Sequence, residues 1–130
     1  MISFKVAIMN GFKKAFDFSS RATRAEYWWW QLFQVLATII CLFLGGFIST
    51  NVYYFTNSEN ILWEIMPYLI WNTICIIPNI SLLFRRLHDG DSSAWNLLWL
   101  VLPFIGNILI FILTLVKSAP DNEYGPKLND

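Results

Sequence analysis

The only histidine of the chain, His88, stands beside Asp89 in the stretch Arg85-Arg86-Leu87-His88-Asp89-Gly90-Asp91-Ser92-Ser93, a charged island between long apolar runs. Three chemistries suit these residue types. A histidine next to a carboxylate can serve as a general acid or base. With Ser92 or Ser93 it suggests nucleophilic catalysis, and with further ligands a metal site. Each demands more than the island offers. Zinc takes three or four ligands, and no cysteine or second histidine shares this stretch, so no metal is expected and no cofactor either. Nucleophilic catalysis needs a hydroxyl aimed at the base and an oxyanion hole, and adjacency in sequence supplies neither. A plainer account covers more of the residues: Arg85 and Arg86 anchor a helix end at lipid phosphates, Asp89-Gly90 makes a turn, and Ser92 or Ser93 caps the next helix.

The surroundings of the island are lipid-like in composition. Of 130 residues 56% are hydrophobic and 18% aromatic, and only 14% are charged, against about a quarter in an ordinary soluble domain. Nine basic residues balance nine acidic ones, so no nucleic-acid partner is expected. No linker or repeat divides the chain, which reads as a single membrane domain over 1–130. Cys41 and Cys75 lie inside apolar runs, where a structural disulfide is not expected.

The elements that must hold the island follow from periodicity. Phe4, Ile8, Phe12, Ala15 and Phe16 recur at helical spacing, with Asn10, Lys13, Lys14 and Asp17 opposite, which predicts an amphipathic helix over 4–18 lying in the headgroup region. A helix packed on protein is the alternative. Thr23 and Glu26 form a capping box ahead of a first span over 27–48, and Tyr27-Trp28-Trp29-Trp30 suits an interfacial aromatic belt. The five basic residues ahead of this core do not fit a cleaved signal peptide. A polar loop over 49–60 leads to a second span over 61–84, bent at Pro67 and Pro78. A third span covers 95–116, and 117–130 is a polar tail. The expected fold is all-α and polytopic, with three transmembrane helices plus the N-terminal amphipathic interfacial helix.

Orientation follows from the basic residues. With the N-terminus inside, three crossings place Lys5, Lys13, Lys14, Arg21, Arg24, Arg85 and Arg86 in the cytoplasm, and Lys117 and Lys127 outside. The N-terminus and the 85–94 loop are then cytoplasmic and the C-terminus periplasmic. An alternative is a re-entrant third segment, interrupted at Pro103 and Gly106, which would return the tail to the inside.

Polar residues also recur within the spans. Gln31, Gln34 and Thr38 share a face of the first, Glu64, Tyr68, Asn72 and Asn79 a face of the second, and Asn107 lies on the third. Such a seam joins helices by hydrogen bonds, or lines a path for a solute. Joining is favoured, because no carboxylate, histidine or lysine sits at mid-membrane.

Three motifs complete the reading. Arg21, Arg24, Glu26, Tyr27 and Trp28 give Arg-x-x-Arg-x-Glu-Tyr-Trp; Arg85 through Asp89 with Ser93 and Trp95 give Arg-Arg-Leu-His-Asp followed by Ser-x-Trp; Asn122, Tyr124, Gly125 and Pro126 give Asn-x-Tyr-Gly-Pro. In this order the chain resembles a bacterial family of small inner-membrane proteins, the domain of unknown function 805. The resemblance implies a helical protein of the bacterial inner membrane and names no reaction. The chain departs from the family pattern at Ser20, Ser92, Ala94 and Lys127-Leu128, and a serine where a basic residue is usual weakens an anionic grip by that loop.

The expected function is a non-enzymatic interaction or scaffold module. Arg21, Arg24, Glu26, Arg85, Arg86, His88 and Asp89 would form a cytoplasmic surface for anionic lipid headgroups or a membrane partner, which could be a larger protein or a second copy. The alternative is a small oligomeric transporter or channel lined by the polar faces. Lipid-headgroup chemistry at His88 and Asp89 is a third reading.

Overall fold

The computed structural model describes residues 2–56, 61–93, 95 and 105–128. Four helices follow in order: α1 (Phe4–Lys13), α2 (Arg24–Thr56), α3 (Ile61–Asp89) and α4 (Ile105–Leu115). The chain divides into two compact units, one of residues 1–30 with 77–130 and the other of residues 31–76.

α1 begins at Ser3, whose Oγ accepts from the backbone N–H of Val6 at 3.5 Å. Its buried face is not the phenylalanine stripe. Ala7, Gly11 and Ala15 are covered, whereas Phe12 and Phe16 are exposed, Phe16 at 79%. The reason is close approach. A Cβ at Gly11 would collide with the indole of Trp30, and Phe12 meets that ring edge-on at 5.1 Å between centroids. α1 thus packs on protein closely through small side chains, while Phe4 and Phe12 meet Trp29 and Trp30 at its edge and Phe16 beyond its end faces outward. Trp30, expected in an interfacial belt, is fully buried.

α2 has 33 residues, about 50 Å of helix against roughly 30 Å of hydrocarbon. It runs past the expected loop start. Thr50, Asn51 and Thr56 each donate to the carbonyl four residues back, at 2.8, 2.7 and 2.8 Å, so these polar groups are satisfied within the helix and do not end it. Only 6% of its most apolar window is covered by protein.

α3 has 29 residues and continues through Pro67 and Pro78 to Asp89, so 85–89 is helix where a loop was expected. Helix ends at Gly90, whose N–H reaches the Arg86 and Leu87 carbonyls, and Asp91 takes the left-handed conformation, with φ 56°. Both α2 and α3 are long and apolar enough to cross a membrane. Within the unit of residues 31–76 they run antiparallel. Trp71 Nε1 donates to Gln34 Oε1 at 3.0 Å, and a Cβ at Gly45 would strike the backbone of Glu64.

Of the expected third span, residues 96–104 lie outside the described residues. α4 has 11 residues, about 16 Å of rise.

Candidate functional site

The three sequence motifs, far apart along the chain, meet in one place. Thr23 caps α2 by accepting the Glu26 N–H at 3.1 Å. The Glu26 carboxylate turns to α3 and accepts from Arg85 Nη1 at 3.0 Å. Beside this pair the Ala22 N–H donates to the Arg85 carbonyl at 3.0 Å.

Asp89 is the hub. Its Oδ1 accepts from Arg21 Nε at 3.0 Å, and its Oδ2 accepts from Ser118 Oγ at 2.5 Å and from Arg86 Nη1. Both carboxylate oxygens are therefore taken. Arg86 goes on to the carbonyls of Thr114, at 3.0 Å, Ala22, at 3.3 Å, and Val116. It binds the end of α4 to the start of α2.

Arg21 binds the tail. It donates to the carbonyls of Ala119 at 2.8 Å, Gly125 at 2.9 Å and Pro120 at 3.1 Å, and to Asn122 Oδ1 at 3.3 Å. The Ala119 N–H donates to the Asp89 carbonyl at 2.8 Å, and Asn122 Nδ2 donates to the His88 carbonyl at 3.0 Å. Tyr124 stacks on His88 with centroids 3.9 Å apart and planes within 2°. The Asn122–Gly125 turn that presents it closes with Gly125 at φ 130°, a conformation open to glycine. The neighbouring Glu123 carboxylate pushes the Tyr124 phenol above its usual range, aided by burial.

Two expectations change. The tail does not lie away from Arg21 but is bonded to it and to the last turn of α3; counting crossings by whole apolar runs put it on the other side. Nor do the motif residues form an exposed surface. Arg21, Glu26, Arg85, Arg86, His88 and Asp89 are all buried, Arg85, Arg86 and Asp89 completely. They find their counter-charges and carbonyls in one another's segments. Arg24 is half-buried at the first turn of α2.

The polar seam is only partly a seam. Asn79 Oδ1 accepts from Trp30 Nε1 at 2.6 Å and Gln34 takes Trp71, so two of its members join α2 to α3. Asn72 instead donates to the Tyr68 carbonyl in its own helix. Glu64, Tyr68 and Asn107 are exposed, and Gln31 and Thr38 are half-buried.

Some contributors have no counterpart among the expected site residues. Ser81 Oγ lies 2.8 and 2.7 Å from the carbonyls of Lys14 and Asp17, tying the end of α1 to α3, and Ser118 bonds Asp89. Ser81 stands one helical turn before Arg85, a spacing that could have flagged it. Nothing in the spacing of Ser118 marks it. Asp17 orders the connection to α2: its carboxylate accepts from the N–H groups of Ser19 and Ser20, both at 3.1 Å, and from both hydroxyls. Partial burial raises its pKa, but these hydrogen bonds prevail and bring it from 3.8 to about 2.

Among the described residues no cluster of three or more His, Cys, Asp or Glu could hold a metal ion. What the arrangement does chemically is hold: three guanidiniums and two carboxylates close the N-terminal segment, the end of α3, α4 and the tail onto one another.

Similarity to known proteins agrees with this architecture. The chain is 32% identical over 115 residues to "Inner membrane protein YhaH" of Escherichia coli (strain K12), covering 88% of each chain. It is 33% identical over 117 residues to "Inner membrane protein YhaI" of the same strain, covering 87% of this chain and 86% of the relative. No solved structure matches. The apolar α2 and α3, little covered by protein, suit a membrane protein like these relatives. With residues 15–126 matching the family described as "Protein of unknown function (DUF805)", the chain belongs to that family of bacterial inner-membrane proteins.

Proposed function

We propose that the protein is a non-enzymatic helical module of the inner membrane that associates with a second copy or a larger membrane protein through the uncovered apolar faces of α2 and α3. The observation that carries this reading is the burial of Arg21, Glu26, Arg85, Arg86, His88 and Asp89. Asp89 has both oxygens occupied, and His88 is covered by Tyr124. An acid or base at work needs an approach for substrate, and these side chains are buried. Outside the cluster α2 exposes Ile39, Ile40, Leu42, Phe43 and Phe47, a surface that fits lipid or another helix.

The same reading places one unit on the cytoplasmic side. All nine Lys and Arg fall in residues 1–30 and 77–130, none in 31–76. By the positive-inside rule, this unit with its bonded tail faces the cytoplasm. Exposed Lys5, Lys13, Lys117 and Lys127 would then meet anionic headgroups.

Crosslinking in native membranes followed by native mass spectrometry tests association. A strict monomer with no copurifying membrane protein would overturn it, and solute flux in liposomes would favour the channel alternative. That alternative also needs Cys41 and Cys75 open to water-soluble thiol reagents; Cys75 is buried, which fits protection, and Cys41 is half-buried.

A further inference from the structure

Arg85 differs from the other two buried arginines. Arg21 and Arg86 satisfy their guanidiniums with carboxylate and carbonyl oxygens, whereas Arg85 has one partner, Glu26 on Nη1, and its buried Nε and Nη2 have none among the described residues. The free pair is geometrically specific. Nε–H and Nη2–H point the same way from the long edge of the guanidinium, the fork that takes two oxygens of one oxyanion. One turn further on the same helix, His88 Nδ1 is buried and unpartnered as well.

The charge count points the same way. Arg21, Arg85 and Arg86 face Glu26 and Asp89 at no more than 5% exposure, three cations against two anions. Arg85 is itself paired with Glu26, so the surplus cation belongs to the cluster as a whole, and a buried donor without a partner commonly marks an ion or water. The carbonyls that offset Arg21 and Arg86 do not reach the long edge of Arg85.

We propose that the Nε/Nη2 edge of Arg85 binds one phosphate group, supplied by a phospholipid headgroup or by free phosphate, with His88 Nδ1 accepting from a phosphate hydroxyl or donating when protonated. Arg85 lies where α3 leaves its apolar run, so a lipid phosphate at headgroup depth has the right level. This goes beyond association and does not depend on it.

The test uses the full chain purified in mild detergent, and Arg85→Lys, which keeps the charge beside Glu26 but removes the fork. Native mass spectrometry of the wild type showing one retained phospholipid per chain, lost in Arg85→Lys, assigns the site to lipid. Without an adduct, a rise in unfolding temperature with inorganic phosphate, beyond that with chloride at matched ionic strength, assigns it to free phosphate. In either case Arg85→Lys weakens binding at least about tenfold, since two charge-assisted hydrogen bonds are lost. Neither adduct nor phosphate-specific stabilisation in the wild type overturns the proposal, as does equal binding by a folded Arg85→Lys. Should that variant not fold, Glu26→Gln decides: freeing Nη1 and removing a negative charge must strengthen phosphate binding, and weaker or unchanged binding by the folded variant overturns the site.

Discussion

Arg21 Nε lies 3.0 Å from Asp89 Oδ1, joining residues 68 apart in the chain. The pair is closed to water, with Arg21 at 5% exposure and Asp89 at 0%. Asp89 also neutralises Arg86, so one carboxylate answers two guanidiniums. Removing it leaves both cations buried with carbonyls alone.

Asp89→Asn should therefore cost about 3–5 kcal/mol, the range for breaking a buried ion pair from one side. Thermal or denaturant unfolding in detergent reads the loss. Asp91→Asn, two residues on and exposed, should stay within about 0.5 kcal/mol of the wild type. Equal behaviour of the two would mean that the hub carries no stability.

Arg21→Lys tests the tail. Lysine is a point charge that can keep Asp89 but cannot reach three carbonyls and an amide at once. The N–H groups of Ala119, Asn122, Tyr124 and Gly125, all hydrogen-bonded, should lose protection from hydrogen exchange while those of α2 and α3 keep theirs. Limited proteolysis should shift to 117–126. A tail as protected as the wild type's would show that Arg21 is not its tether.

The tail also shows where sequence reading stops. Charged motifs stand out against an apolar background, so Arg21, Glu26, Arg85, Arg86 and Asp89 were legible as one group. Their direction was not. A sequence shows a guanidinium but not whether it points to lipid phosphate or to the carboxylate of another segment, and that choice is made by packing. Helix existence was legible for α2 and α3 from their apolar runs. Their ends were not, because Thr50, Asn51 and Thr56 read as loop residues until their i−4 bonds are seen. The packing of α1 was not legible for a related reason: phenylalanines dominate any periodicity count, whereas contact with protein was decided by the absence of side chain at Gly11. The hydrogen bonds that tie the tail to Arg21 could not be read from a count of apolar runs either.

Gly45 and Gly46 give a paired prediction. A Cβ at Gly45 would strike the backbone of Glu64, while at Gly46 nothing lies within 4 Å. Gly45→Ala should force α2 and α3 apart locally, costing about 1–3 kcal/mol as overpacking does. Gly46→Ala should be neutral or gain up to about 1 kcal/mol through helix propensity. Unfolding of the two variants side by side checks the antiparallel register.

Asp17 supplies a pH test. Its carboxyl is held at about 2 by the hydrogen bonds of Ser19 and Ser20, which outweigh the effect of burial. The folded value is depressed below the unfolded one of about 3.9. The stabilisation is therefore complete above the unfolded value and is lost as pH falls from about 4 through about 2. Asp17→Asn should flatten that part of the stability profile, with little change in its shape at neutral pH. The group is largely open to solvent, so the amplitude should be small and should shrink with salt. An Asp17→Asn profile parallel to the wild type's between pH 4 and 2 would show that the Ser19 and Ser20 hydrogen bonds carry none of the acid sensitivity there.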